Sequence, residues 1–118
     1  MQMPKPTDED KDRFRSLVPD HEAVEVKPMF GNLGAFVHGN MFAGLFGSAV
    51  GVKLDDSGLA ELDMIDGVGP FGPAERPMGG YRSLPAQWSD DQAAVWLERA
   101  LAHVETLPPK VKKPRATS

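Results

Sequence analysis

The sequence predicts an α+β domain, an antiparallel β-sheet with helices packed on it, and three observations carry that reading. Gly39-Asn40 stands between two alternating apolar runs, a two-residue hairpin signal. Gly47-Ser48 repeats the punctuation eight residues later. Near the end, Ala93, Trp96, Leu97, Ala100, Leu101 and Val104 recur at helical spacing and form one apolar stripe. In chain order the elements read α-β-β-β-β-α-β-α, with consecutive strands joined by hairpins.

Residues 1–6 are expected to be disordered, and the domain to run from 7 to 107. Thr7 followed by Asp8, Glu9 and Asp10 opens a helix, because a hydroxyl caps the first turn and acids suit its dipole. Phe14, Leu17 and Val18 give that helix its apolar side, and Pro19 stops it. Ala23 to Lys27 alternates as a half-buried strand, which Pro28 ends or bends onward into Met29-Phe30. Asp55 to Gly67 reads as a second helix, capped by Asp56 or Ser57, with Leu59, Leu62 and Ile65 inward and Gly67 as its left-handed stop. Val68 to Pro85 is rich in glycine and proline. An extended arm at Pro70-Phe71, a turn and a strand near Met78 to Leu84 are expected there. The last helix starts at Ser89, with Gln92 at capping-box spacing, and Pro108-Pro109 ends it.

Between Met29 and Leu54 the glycines are dense. With Gly39-Asn40 as the turn, Val37 faces Phe42 and Ala35 faces Gly44; with Gly47-Ser48 as the next, Gly44 faces Gly51. The two-residue period then puts Phe36, His38, Met41, Ala43, Leu45, Val50, Val52 and Leu54 on one apolar face, expected to be the core. Ala35, Val37, Phe42, Gly44, Phe46, Ala49, Gly51 and Lys53 fall on the other. Cross-strand glycines flanked by phenylalanines mark a close approach of other atoms. That reads either as a contact patch at Phe42, Gly44, Phe46 and Gly51, with Met29 and Phe30 beside it, or as a place where a helix packs or a bulge curls the sheet.

Composition limits the chemistry. A chain of 118 residues builds one core. Cysteine is absent, which removes disulfides, thiol nucleophiles and thiolate metal sites. No apolar run approaches the roughly 18 residues of a membrane span, and the start of the chain lacks an apolar signal core, so a cytoplasmic setting in a bacterium is the default. The net charge is −4, yet Lys110, Lys112, Lys113 and Arg115 stand without an acid in the last eleven residues. Residues 1–107 therefore carry −8, which repels a phosphate backbone. The basic 108–118 stretch reads as a disordered tail, able at most to touch nucleic acid or an acidic partner weakly.

The motifs of catalysis are missing. Neither a Walker loop nor Gly-x-Gly-x-x-Gly occurs in the glycine-rich stretch, and strand follows each glycine. His21, His38 and His103 are scattered without ligand spacing, so no metal or other cofactor is expected. No serine sits in a nucleophile elbow, and the carboxylate pairs Asp55-Asp56 and Asp90-Asp91 head helices, where they suit the dipole.

Met29-Phe30-Gly31, Leu33-Gly34-x-Phe36-Val37-x-Gly39-x-Met41-Phe42-Ala43, Gly47 and Val52-x-Leu54 resemble the N-terminal domain of the TfoX/Sxy competence-regulator family. Pro70-Phe71, Arg76-Pro77-Met78, Tyr81, Leu84-Pro85 and a closing helix with Trp96 fit the same pattern, so the likeness runs from the first helix to Leu107. Asn32 departs from it, standing where the family usually has a second glycine. The resemblance implies an α+β fold grouped with secretion-chaperone-like domains, hence a protein-binding module, and it brings no catalytic residues. In the regulators it implies co-activation with the cyclic-AMP receptor protein; those carry a second, helical domain, whereas this chain ends in the basic stretch. The expectation is thus a non-enzymatic regulatory domain with a protein partner, as a monomer or a homodimer. The alternative is a small-molecule binder or enzyme with a pocket near Met29–Gly31, using Arg76, Tyr81 and Arg82 as polar groups.

Overall fold

A computed structural model describes residues 5–29, 32–72 and 79–108 of the chain. Its elements are α1 (Asp8–Leu17), β1 (Val24–Met29), β2 (Asn32–Val37), β3 (Asn40–Phe46), β4 (Ala49–Lys53), α2 (Asp56–Asp63), β5 (Gly69–Pro70), β6 (Tyr81–Ser83) and α3 (Asp90–Val104). This is the α+β architecture and the element order expected, with the arm at Pro70 forming the two-residue strand β5. The six strands make one antiparallel sheet in the order β1-β2-β3-β4-β6-β5.

Local chemistry sets the helix ends. Thr7 Oγ1 accepts from the Asp10 amide at 3.1 Å while Asp10 accepts from the Thr7 amide, a reciprocal capping box. Ser89 and Gln92 repeat it at α3. For α2 the cap is Asp55, accepting from the Gly58 amide at 2.8 Å, not Asp56 or Ser57. That helix closes at Asp63, short of the expected Gly67, and Gly67 turns the chain three residues beyond the cap residue Met64 with φ +95°.

The principal core lies between the sheet and the helices. Phe14 and Leu17 of α1, Leu62 of α2, and Ala93, Leu97, Ala100, Leu101 and Val104 of α3 pack on Leu33, Ala35, Val37, Phe42, Ala43, Leu45, Val50 and Val52. The α3 stripe is therefore buried as its periodicity requires. Trp96, at the stripe's margin, stacks on Trp88 (centroids 6.3 Å apart) and carries the Arg99 guanidinium 4.3 Å over its ring. Arg99 also bonds Glu61 at 2.7 Å, tying α3 to α2 and holding the Glu61 carboxyl below its usual range.

The β2–β3 turn lies one residue earlier than the Gly39-Asn40 reading places it. The turn residues are His38 (φ 51°) and Gly39 (φ 83°), and Val37 pairs with Asn40. Positive φ at both central positions suits the twist of a two-residue hairpin, and histidine is among the residues that tolerate it. The register then slips at a bulge between Ala35 and Phe36, so that Phe36 opposes Met41 and Ala35 opposes Ala43. Two corrections follow. Gly34, not Ala35, faces Gly44, and every β2 side chain takes the face opposite to the one expected. Phe42 is 0% exposed within the helical core, while Phe36 and Met41 move to the second face. The β3–β4 hairpin agrees with the expected register: Phe46 with Ala49, Leu45 with Val50, Gly44 with Gly51, Ala43 with Val52.

An aromatic layer on a glycine floor

The second face of the sheet carries its own small cluster: Met41, Phe71 and Tyr81, with half-buried Phe36 and Phe46 packed against them. No residue of the three helices belongs to it. The register builds its floor. Gly34, Gly44 and Gly51 lie directly opposite one another on β2, β3 and β4. Beyond them the row continues through Ser83 of β6 to Gly69 of β5.

The floor is used by Phe71. A Cβ at Gly51 would stand 2.3 Å from the Phe71 Cγ, and one at Gly44 would stand 3.1 Å from its Cζ. Gly51 needs glycine because the ring lies where a side chain would begin, while at Gly44 a Cβ would press on the tip of the ring. Phe71 is itself nearly buried, packs edge-on against Phe46 (centroids 6.3 Å) and lies tilted against Tyr81 (6.1 Å). Covering a phenylalanine is worth about 2–3 kcal/mol, and each aromatic pair adds about 0.5–1.5 kcal/mol.

Tyr81 donates its hydroxyl proton to the Met41 carbonyl at 2.7 Å, which fastens β6 to the β2–β3 end of the sheet. Burial raises its phenol to about 12. The folded state thus binds the phenolic proton more tightly than the unfolded chain, so this contribution is complete below about pH 10 and is lost as the pH rises towards 12. A shift of that size corresponds to about 2–3 kcal/mol. Tyr81 is the only tyrosine in the chain, so its phenolate absorbance is expected to titrate near 12 in the folded protein and near 10 in urea. Equal midpoints would show that the ring is solvated.

The rim of this face is charged. Lys27 places its Nζ 5.4 Å from the Phe36 centroid and 3.6 Å from Glu25. Lys53 places its Nζ 5.7 Å from the Tyr81 centroid. Near Phe46 lies Asn32, only 4% exposed. Its Oδ1 accepts the Gly47 amide at 2.8 Å, locking the β3–β4 turn, while its Nδ2 has no partner among the described residues. Asparagine at this position, unusual by the resemblance, is accommodated in the strand and supplies a tie that glycine could not.

Of the expected contact residues, Gly44, Phe46 and Gly51 meet on this face and Phe42 does not. Met29 pairs with Asn32 at the sheet edge. Phe30, Gly31, Arg76, Lys110, Lys112, Lys113 and Arg115 lie outside the described residues. Tyr81 and Arg82, offered together as polar groups of a pocket, are adjacent on β6 and take opposite faces of the sheet. Arg82 turns to α2, where its guanidinium bonds both Asp63 oxygens (2.7 and 3.2 Å) and holds that carboxyl below its usual range. Lys53 lies on the face expected of it, whereas Lys27, Phe36, Met41 and Phe71 are parts of the patch that the sequence reading lacks. The bulge between Ala35 and Phe36 brings in Phe36 and Met41, since the extra residue Phe42 reverses the parity of the ladder on either side of it.

Elsewhere the concave surface offers committed groups. A cavity of about 180 Å³ beside Ser48 and Ser83 has Arg13 in its wall, but Arg13 bonds Asp90 at 2.7 Å. A cleft of about 380 Å³ at Asp55 and His103 is bordered by Arg99, which bonds Glu61. Among the described residues no group of three or more His, Asp or Glu side chains is placed to hold a metal ion, and no helix is long and apolar enough to cross a membrane.

No curated protein and no solved structure gives a significant match to the chain. The family model described as the TfoX N-terminal domain matches residues 15–104, which take in every strand of the sheet, α2, α3 and the aromatic layer. On that match the chain belongs to the TfoX N-terminal domain family.

Proposed function

We propose that this is a non-enzymatic, cytoplasmic regulatory domain that binds a protein partner through the second face of its sheet. One observation carries the reading: among the described residues that face is covered by an aromatic layer instead of a helix, with Phe36 and Phe46 half-buried at its margin. Apolar residues at a rim of this kind supply contact energy without being needed for the main core. The described charged side chains of the face are Lys27, Lys53 and Glu25, a net positive patch on a chain of net −4. Its complement is an acidic surface presenting apolar side chains. The sheet edges suit association poorly, since the outer strands β1 and β5 carry Pro28 and Pro70, which cannot donate to a further strand.

The test is affinity capture from the native host with the wild-type chain, with a Phe36→Asp/Phe46→Asp variant, and with Val95→Asp as an exposed control on α3. The double variant is expected to keep its far-ultraviolet circular dichroism and lose the captured protein, while the control retains it. A folded double variant that keeps the same partner would overturn the reading.

A further inference from the structure

We propose that the strap Gly69–Gly72 is a releasable plug. In this reading Phe71 leaves the glycine floor while the helical core stays folded, and the vacated floor takes an aromatic side chain from an acidic segment of the partner. The partner half rests on the function proposed above; release of the strap does not.

Three features point to release. Phe71 belongs to the Met41–Tyr81 cluster and to no contact set of the helices, so its departure leaves the larger core intact. Among the described residues the strap is held to the sheet by two register pairs, Gly69 with Ser83 and Pro70 with Arg82. Gly67 (φ +95°) precedes it and Gly72 (φ +101°) closes it, so the backbone at both ends is of the kind that pivots cheaply. Segments with few pairs and a separate apolar cluster open below the global unfolding free energy.

The occupant follows from the shape and charge of the vacated site. A floor of Gly44 and Gly51 fits a flat ring, as Phe71 itself demonstrates, and Phe46 and Tyr81 wall it. Lys27 and Lys53 flank the layer with Glu25 as the lone described acid, which selects acids beside the incoming ring. Because Phe71 competes in cis, wild-type affinity is lowered by the fraction of time the plug is seated.

The experiment uses the full chain as wild type and as Phe71→Ala, with amide chemical shifts as the readout. The probes are a pentapeptide with a central phenylalanine between paired aspartates and its lysine-flanked counterpart. Phe71→Ala is expected to keep the native amide pattern of Leu97, Ala100 and Val104. The aspartate peptide is expected to shift the Gly44 and Gly51 amides, binding at least about thirtyfold more tightly to the variant than to wild type and more tightly than the lysine peptide. Loss of the α3 pattern in Phe71→Ala would show that the strap is part of the main core and overturn release. A folded variant whose floor amides respond to neither peptide, or equally to both, would overturn the exchange. Retention of the partner by Phe36→Asp/Phe46→Asp bears only on the preceding proposal.

Discussion

Phe42→Ala is expected to lower the unfolding free energy by about 3–5 kcal/mol, the usual cost of truncating a fully enclosed phenylalanine. The ring is 0% exposed and packs among the α1, α3 and sheet residues of the principal core. The bulge sets the size of this effect. It places Phe42 and Ala43 together on the helical side, against Ala35 and Val37, where a void opened by truncation is enclosed on both sides and cannot collapse easily. Phe46, three strand positions past Ala43, faces the other way at a half-buried margin, and its truncation is expected to cost about 1 kcal/mol. Urea denaturation of both variants reads the difference as a midpoint shift at constant slope. Equal shifts would mean that Phe42 shares the open face with Phe46, and the bulged register would be wrong.

Gly51→Ala carries the second large effect. In most strands this exchange is mildly favourable, since alanine restricts the unfolded chain more than glycine does. Here the new Cβ would lie 2.3 Å from Cγ and Cδ1 of Phe71, at the root of a ring that has no flexible end to bend away. The ring must leave the floor, forfeiting its burial and its contacts with Phe46 and Tyr81. A loss of about 2–4 kcal/mol is expected, close to that of removing the ring itself. Gly69→Ala is the matched control, because a Cβ there meets nothing within 4 Å. It is expected to stay within about 0.5 kcal/mol of wild type. Thermal or urea unfolding of the pair checks the point, and a neutral Gly51→Ala would show that Phe71 does not rest on the floor.

These two residues also show how far the sequence could be read. The α3 stripe, both capping boxes, the β3–β4 register and the order of elements follow from spacing and cap chemistry, which act within a few residues of their source. The β2–β3 turn did not. Asn-rich turn statistics favour Gly39-Asn40, but His38 accepts a positive φ, and a bulge downstream absorbs the slip. A bulge changes the parity of one strand without changing its composition, so an alternating apolar run reads equally well in either register. Phe71 was legible only as part of an extended arm in a glycine- and proline-rich segment. That it would lie on Gly44 and Gly51 depends on a contact across twenty and more residues, for which no local pattern exists. Tyr81 and Arg82 show the converse, since adjacency in a strand is itself enough to separate them onto two faces.

The meander of short hairpins from β1 to β4 has a consequence for a chain emerging from the ribosome. Its strands pair with sequence neighbours, so the ladder needs little more than its two-residue turns to close. Its cover arrives late: α3 ends about fifty residues after β4, and at about 5–20 residues per second that is a wait of several seconds. Through that interval Leu33, Val37, Phe42, Leu45 and Val52 form a greasy, unshielded plane. Pausing or truncation between Lys53 and Asp90 is therefore where a nascent copy is most exposed to clumping and most in need of a holding chaperone.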